Sequence, residues 1–218
     1  MRALLDYLLD LLYPPRCAFC HNLMPPGVDV CEHCRRTLPY AGAEGQKQKL
    51  THIAACLSPL YYEGSVRDSL LRFKFEGLSG YAKIYGEFLT KCLDENGISC
   101  DSITWVPVSR QRKRRRGYDQ AQLLARELAG RKGIPCEALL RKIRNNPAQS
   151  GTGSPAARRA NVAGVYRAAS PERIRGRRIL LVDDIVTTGA TLSECAAVLK
   201  RAGAAEVLAV TVARSRKE

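Results

Sequence analysis

Ile179-Leu-Leu-Val-Asp183-Asp184-Ile-Val-Thr187-Thr188-Gly189-Ala190-Thr191 is the stretch that decides the fold. Its four leading apolar residues show no alternation, which is how a strand buried on both faces of a parallel sheet reads. Two carboxylates follow, then a small, hydroxyl-rich turn that opens a helix over residues 190–202. Ligands of parallel sheets bind at such a place, beyond the carboxyl end of a strand. Amides of the turn, the positive end of the helix and the hydroxyls of Thr187, Thr188 and Thr191 suit a phosphate monoester, with Gly189 and Ala190 allowing close approach. Asp183 and Asp184 can accept hydrogen bonds from vicinal hydroxyls of the attached sugar, and are read as the catalytic pair. Twin carboxylates repel a phosphate directly, so a sugar or a metal must stand between.

The stretch resembles the phosphoribosyl pyrophosphate (PRPP) motif of type I phosphoribosyltransferases: apolar residues, Asp-Asp, a short turn, Thr-Gly and a further Thr. Acidic strand ends also occur in response regulators and nucleotide hydrolases, but no Gly-x-x-x-x-Gly-Lys phosphate loop is present. The resemblance implies displacement of pyrophosphate from ribose C1, with magnesium carried by the pyrophosphate and catalysis chiefly by orientation and charge stabilisation. Donors for the pyrophosphate are expected in the loop after the strand at residues 103–108, where Ser109 and Arg110 stand nearest the strand end. Arg112 to Arg116 are five consecutive cations, equally readable as a solvated or nucleic-acid-facing charge run.

Outward from this centre, strand-like and helix-like runs alternate from Ile53 onward, which predicts an α/β domain over residues 52–218 built on a parallel sheet. Residues 53–62 read as extended and 207–213 as a strand. Residues 64–73, 81–93 and 119–132 read as helices, the last capped by Asp119. Residues 41–51 read as a polar linker, and residues 144–161 as a long loop that closes over substrate.

Upstream, Cys17-x-x-Cys20 and Cys31-x-x-Cys34 have the spacing of two zinc knuckles whose thiolates close a tetrahedron, so residues 17–40 are expected to form a ribbon folded by structural zinc. A pair of disulfides is the alternative. Residues 1–16 read as a packing helix stopped by Pro14 and Pro15; the segment is too short to span a bilayer, and Arg2 alone makes a poor signal-peptide start. With five further scattered cysteines, this favours a cytoplasmic protein with no membrane span. The charge is uneven: residues 106–218 hold 24 Lys plus Arg against 9 Asp plus Glu, and residues 1–105 hold 11 against 12. The field of the second part favours phosphates, pyrophosphates and nucleic acids as partners.

Taken with Leu71-Arg-Phe-Lys74-Phe75 before Gly77, Arg116-Gly-Tyr-Asp-Gln-Ala121, Gln149 and Arg158-x-x-Asn161, the two motifs resemble the ComF family over almost the whole chain. Tyr118 and Asp119 stand where that family usually has Phe and Asn. The resemblance implies a zinc ribbon fused to a type I phosphoribosyltransferase domain. It also implies PRPP or nucleotide binding and a role with single-stranded DNA and DNA-uptake proteins in natural transformation. A salvage phosphoribosyltransferase acting on a base, or a non-catalytic PRPP sensor, are the alternative functions, and whether the chain is an enzyme stays open.

Overall fold

The computed structural model describes residues 14–144 and 163–216. Residues 1–13 of the expected packing helix and residues 145–161 of the expected closing loop lie outside them. In chain order the described elements are α1 Glu32–Thr37, α2 Ala43–Gln46, β1 Lys47–Leu50, β2 Ile53–Leu57, β3 Leu60–Tyr61, α3 Gly64–Phe75, α4 Tyr81–Glu95 and β4 Ser102–Trp105. There follow α5 Arg110–Arg116, α6 Gln120–Lys132, β5 Leu140–Lys142, β6 Tyr166–Ala168, β7 Arg178–Val186, α7 Ala190–Arg201 and β8 Glu206–Arg214.

The main sheet has the order β1-β2-β8-β7-β4, with β3 also pairing β8. Every pairing in it is parallel except β1 with β2. Strand β7 lies between β8 and β4, with Val182 opposite both Val210 and Trp105. Covering helices on both faces explain its unbroken apolar start: Leu180 and Val182 join Leu70, Phe73, Tyr85 and Leu124 on one side. Ile179 and Leu181 join Leu192, Cys195 and Leu199 on the other.

Three segments differ from their sequence-based expectations. Strand β7 runs beyond Val182 to Val186, so Asp183 sits within the ladder opposite Thr211. Residues 43–50, expected as linker, form α2 and the edge strand β1. An edge strand needs an apolar face on one side only, which is why Lys47-Gln-Lys-Leu50 reads as polar. The buried guanidinium of Arg214 holds this edge, its Nη1 donating to the carbonyls of Gly45 at 2.7 Å and Lys47 at 3.0 Å. The basic run, expected as loop, is helix α5. Arginine is a good helix former, Ser109 Oγ caps the start by accepting from the Arg112 amide, and Gly117 ends it at φ 82°.

The cysteine module is docked on α3 and α4. Buried Phe19 meets the rings of Tyr85 and Phe88 edge-on, at 6.2 and 5.7 Å between centroids. Arg72 of α3 donates through Nη2 to the carbonyls of Ala18 at 3.1 Å and Phe19 at 2.7 Å. Arg72→Leu is expected to cost about 1–3 kcal/mol in urea unfolding and to speed amide exchange at residues 17–20 while zinc stays bound. Unchanged exchange there would show that the Phe19 contacts alone hold the module.

Candidate functional site

Cys17, Cys20, Cys31 and Cys34 bring four sulfur atoms within 4.8 Å of one another. A tetrahedral zinc with Zn–S of about 2.3 Å separates its sulfurs by about 3.8 Å, and Cys20 Sγ lies 3.7 Å from Cys31 Sγ. That spacing suits a metal and is too long for a disulfide. Burial works against ionisation of Cys17, but amide hydrogen bonds, that from Cys31 foremost, bring its thiol down to about 6. Burial and the neighbouring thiols push Cys34 up, so the set holds its negative charge together only with a cation at its centre. With four protein ligands the site is closed to substrate and structural.

At the carboxyl end of β7 the alternation of a strand separates the two acids. Asp184 turns to the α3 side, where Lys74 Nζ lies 3.0 Å from its Oδ2. Their side chains are only 18% and 12% exposed, so the pair is well shielded from screening. Asp183 belongs to the α7 side with Ile179 and Leu181. Its Oδ1 accepts from the Asp184 amide at 2.9 Å, and among the described residues no cation forms an ion pair with it. Burial first, and the charge of Asp184 second, raise the Asp183 carboxyl well above the usual carboxylate range.

The turn after β7 is shaped by Gly189. Its φ of 75° is left-handed, which strains any residue with a side chain, and a Cβ there would lie 2.2 Å from Leu50 Cδ2 and force the Leu50 side chain of β1 to move off the turn. As the N-cap of α7, Gly189 offers no side chain to the helix, while Thr188 Oγ1 accepts from the Ala190 amide at 3.4 Å. Asp183, Ile185, Val186 and all of Thr187 to Leu192 line a recess of about 40 Å³. The structure therefore brings Asp183, Thr187, Thr188, Gly189, Ala190 and Thr191 around one small space, with Asp184 on the opposite side of the strand.

Ser109 and Arg110 lie past the end of β4, which is adjacent to β7 in the sheet. Ser109 is buried as the α5 cap, whereas Arg110 is exposed. Asp119, read from sequence only as a helix cap, does more: Oδ1 accepts from Gln122 and Oδ2 from Val108, tying α6 to the segment after β4. Burial raises its carboxyl despite those amides. Lys74 had no role readable in the sequence. Asp184 lies 110 positions away, and only the packing of α3 beside β7 brings them together.

The phosphoribosyl transferase domain family matches residues 114–218, and the double zinc ribbon domain family matches residues 8–45. Competence protein F of Haemophilus influenzae is 27% identical over 223 residues, covering 92% of this chain and 97% of that protein. DNA utilization protein YhgH of Escherichia coli O157:H7 is 36% identical over 110 residues, and the match spans 49% of this chain and 46% of that protein. Among solved structures, glutamine PRPP amidotransferase from B. subtilis complexed with ADP and GMP is 27% identical with a TM-score of 0.42, covering 61% of this chain and 26% of that one. No helix among the described residues is long and apolar enough to cross a membrane.

Raising the Asp183 pKa in the fold means that, above an unfolded pKa of about 3.9, the folded state keeps a proton that the unfolded state has lost. Stability contributed by this group therefore falls as pH rises through that window. Asp183→Asn is expected to melt higher than the wild type at pH 7, with the difference vanishing below about pH 4. Lower melting of the variant at pH 7 would show that the carboxylate is satisfied within the protein.

Proposed function

We propose, from the premise that this chain is a homologue of competence protein F with a type I phosphoribosyltransferase fold behind a zinc ribbon, that it binds PRPP or a nucleotide with magnesium and handles single-stranded DNA. The recess at the start of α7 carries the reading: it joins a carboxyl with no ion pair among the described residues to a turn of small residues and a helix start whose N-cap residue, Gly189, has no side chain to cap it. A helix start supplies amide donors and partial positive charge, the environment a phosphate monoester takes. In this reading Thr187, Thr188, Gly189, Ala190 and Thr191 hold the 5′-phosphate and Asp183 accepts from ribose hydroxyls. Asp184, held by Lys74, borders the sugar from the other side.

Ser109 and Arg110 are assigned to the pyrophosphate, at the end of the neighbouring strand. Magnesium fits this donor set: it binds through oxygen, keeps several waters and uses few protein carboxylates, and Asp183 is a carboxyl with no ion pair among the described residues. When bound with pyrophosphate it would neutralise charge that the protein leaves unbalanced at that position.

The DNA part is supported by α5, whose seven residues Arg-Gln-Arg-Lys-Arg-Arg-Arg follow β4 at the same carboxyl end of the parallel strands as the acids. Arg110, Lys113, Arg114 and Arg115 are exposed there. Cations in that density neutralise phosphates and make binding salt-dependent. Handling incoming DNA is the role the named relatives suggest, with cytoplasmic placement as part of the same reading.

Calorimetry with PRPP and magnesium is expected to show one site in the wild type, weakened about 10- to 100-fold by Asp184→Asn, the range expected for losing hydrogen bonds to a charged group. Absence of binding by a folded wild-type protein would remove the PRPP reading. Binding unaffected by Asp184→Asn would remove that residue from the site.

A further inference from the structure

Phe75, the last residue of α3, is 58% exposed, although the neighbouring α3 side chains Leu70 and Phe73 are fully buried. An exposed phenyl ring is ordinary when alone, but this one has ordered surroundings. The Arg116 guanidinium lies over it, 5.0 Å from the ring centroid. Arg116 is itself fixed: Nη1 donates to Gln120 Oε1 at 2.8 Å, and its Nε is buried with no hydrogen-bond partner. Tyr118 Oη donates to the Phe73 carbonyl and its ring packs on Phe73 at 5.8 Å, so the segment after α5 is clamped to the end of α3.

The position of the ring supplies its meaning. Lys74, one residue before Phe75, holds Asp184 at the strand end, and Arg116 is the last residue of the basic helix α5. Phe75 therefore follows the lysine that pairs with Asp184 and carries on its ring the last of a row of cations, among which Arg114 and Arg115 have no ion pair among the described residues. Among the described residues the other exposed aromatic, Tyr40, directs its hydroxyl to the Arg35 carbonyl and packs against Phe88 on α4. An aromatic face beside a row of cations is an arrangement by which proteins hold single strands irrespective of sequence: phosphates on cations, a base on the ring.

We infer that Phe75, backed by Arg116, is a stacking platform for one base of single-stranded DNA whose phosphates run along α5. The inference rests on the DNA reading above and names the surface that would carry it. Charge complementarity selects the occupant: a protein docking on Phe75 through apolar contacts would have to bury the adjoining cations, whereas a nucleic acid strand neutralises them.

Fluorescence titration with a short oligothymidylate containing one 2-aminopurine tests this in the full-length protein. Phe75→Ala is expected to weaken binding about tenfold and abolish the 2-aminopurine quenching, with the salt slope unchanged, while Phe75→Trp restores both. Arg114→Ala with Arg115→Ala should instead reduce the salt slope. A strand with abasic sites throughout is expected to bind wild type and Phe75→Ala alike. If wild type binds the oligonucleotide and Phe75→Ala binds and quenches equally, stacking is overturned while the DNA reading stands. If the wild type binds no oligonucleotide, the DNA reading fails and the stacking site with it. Concentration-dependent self-association lost in Phe75→Ala would assign the ring to a second copy and overturn the inference.

Discussion

Two adjacent carboxylates at the end of a buried central strand are the constraint on which the rest of the structure depends. A strand must send neighbouring side chains to opposite faces, so the acids cannot share one counter-ion from a single helix. The protein neutralises one of them: Lys74 reaches Asp184 from α3 at 3.0 Å. The other, Asp183, is left against the turn with its carboxyl raised by burial and by its neighbour. A half-buried carboxyl with no ion-pair partner among the described residues keeps its proton, which leaves it free to ionise when a ligand brings positive charge. The zinc module enters the same chain of contacts, since Arg72 anchors Ala18 and Phe19 two positions before Lys74 on the same helix.

The edge strand β1 shapes the other half of the site. Leu50 stands so close to Gly189 that a side chain there would displace it, and the left-handed φ, which favours glycine, sets the direction in which α7 starts. Arg214, at the end of β8, holds the carbonyls beside β1 in place. The turn is thus bounded on one side by the central strand and on the other by a peripheral hairpin, which gives a pre-formed recess instead of an open loop.

Much of this was legible in the chain. The unbroken apolar run at 179–182 and the strand-like run at 207–213 signalled a parallel sheet, the helix over residues 119–132 was correctly bounded by its Asp cap, and the cysteine spacing signalled the metal site. What escaped reading was tertiary in origin. Lys47-Gln-Lys-Leu50 is polar because half of it faces water, so no periodicity marked it as a strand. The basic run looked like loop because its charges repel, yet Ser109 and Gly117 cap a real helix there. The Lys74 pairing and the stacked Phe75 depend on α3 meeting residues from distant parts of the chain, and neither leaves a local trace in sequence.

The central claim is that Asp183 is a carboxyl whose charge the protein leaves for a ligand to balance. Carboxyl-carbon NMR of Asp183, followed against pH in the free protein and again with PRPP and magnesium, tests it most directly. The account predicts a pKa well above that of an ordinary aspartate, about 3.9, in the free protein, falling when ligand and metal bind. An ordinary value in the free protein, or a raised one that the ligand does not move, would contradict it.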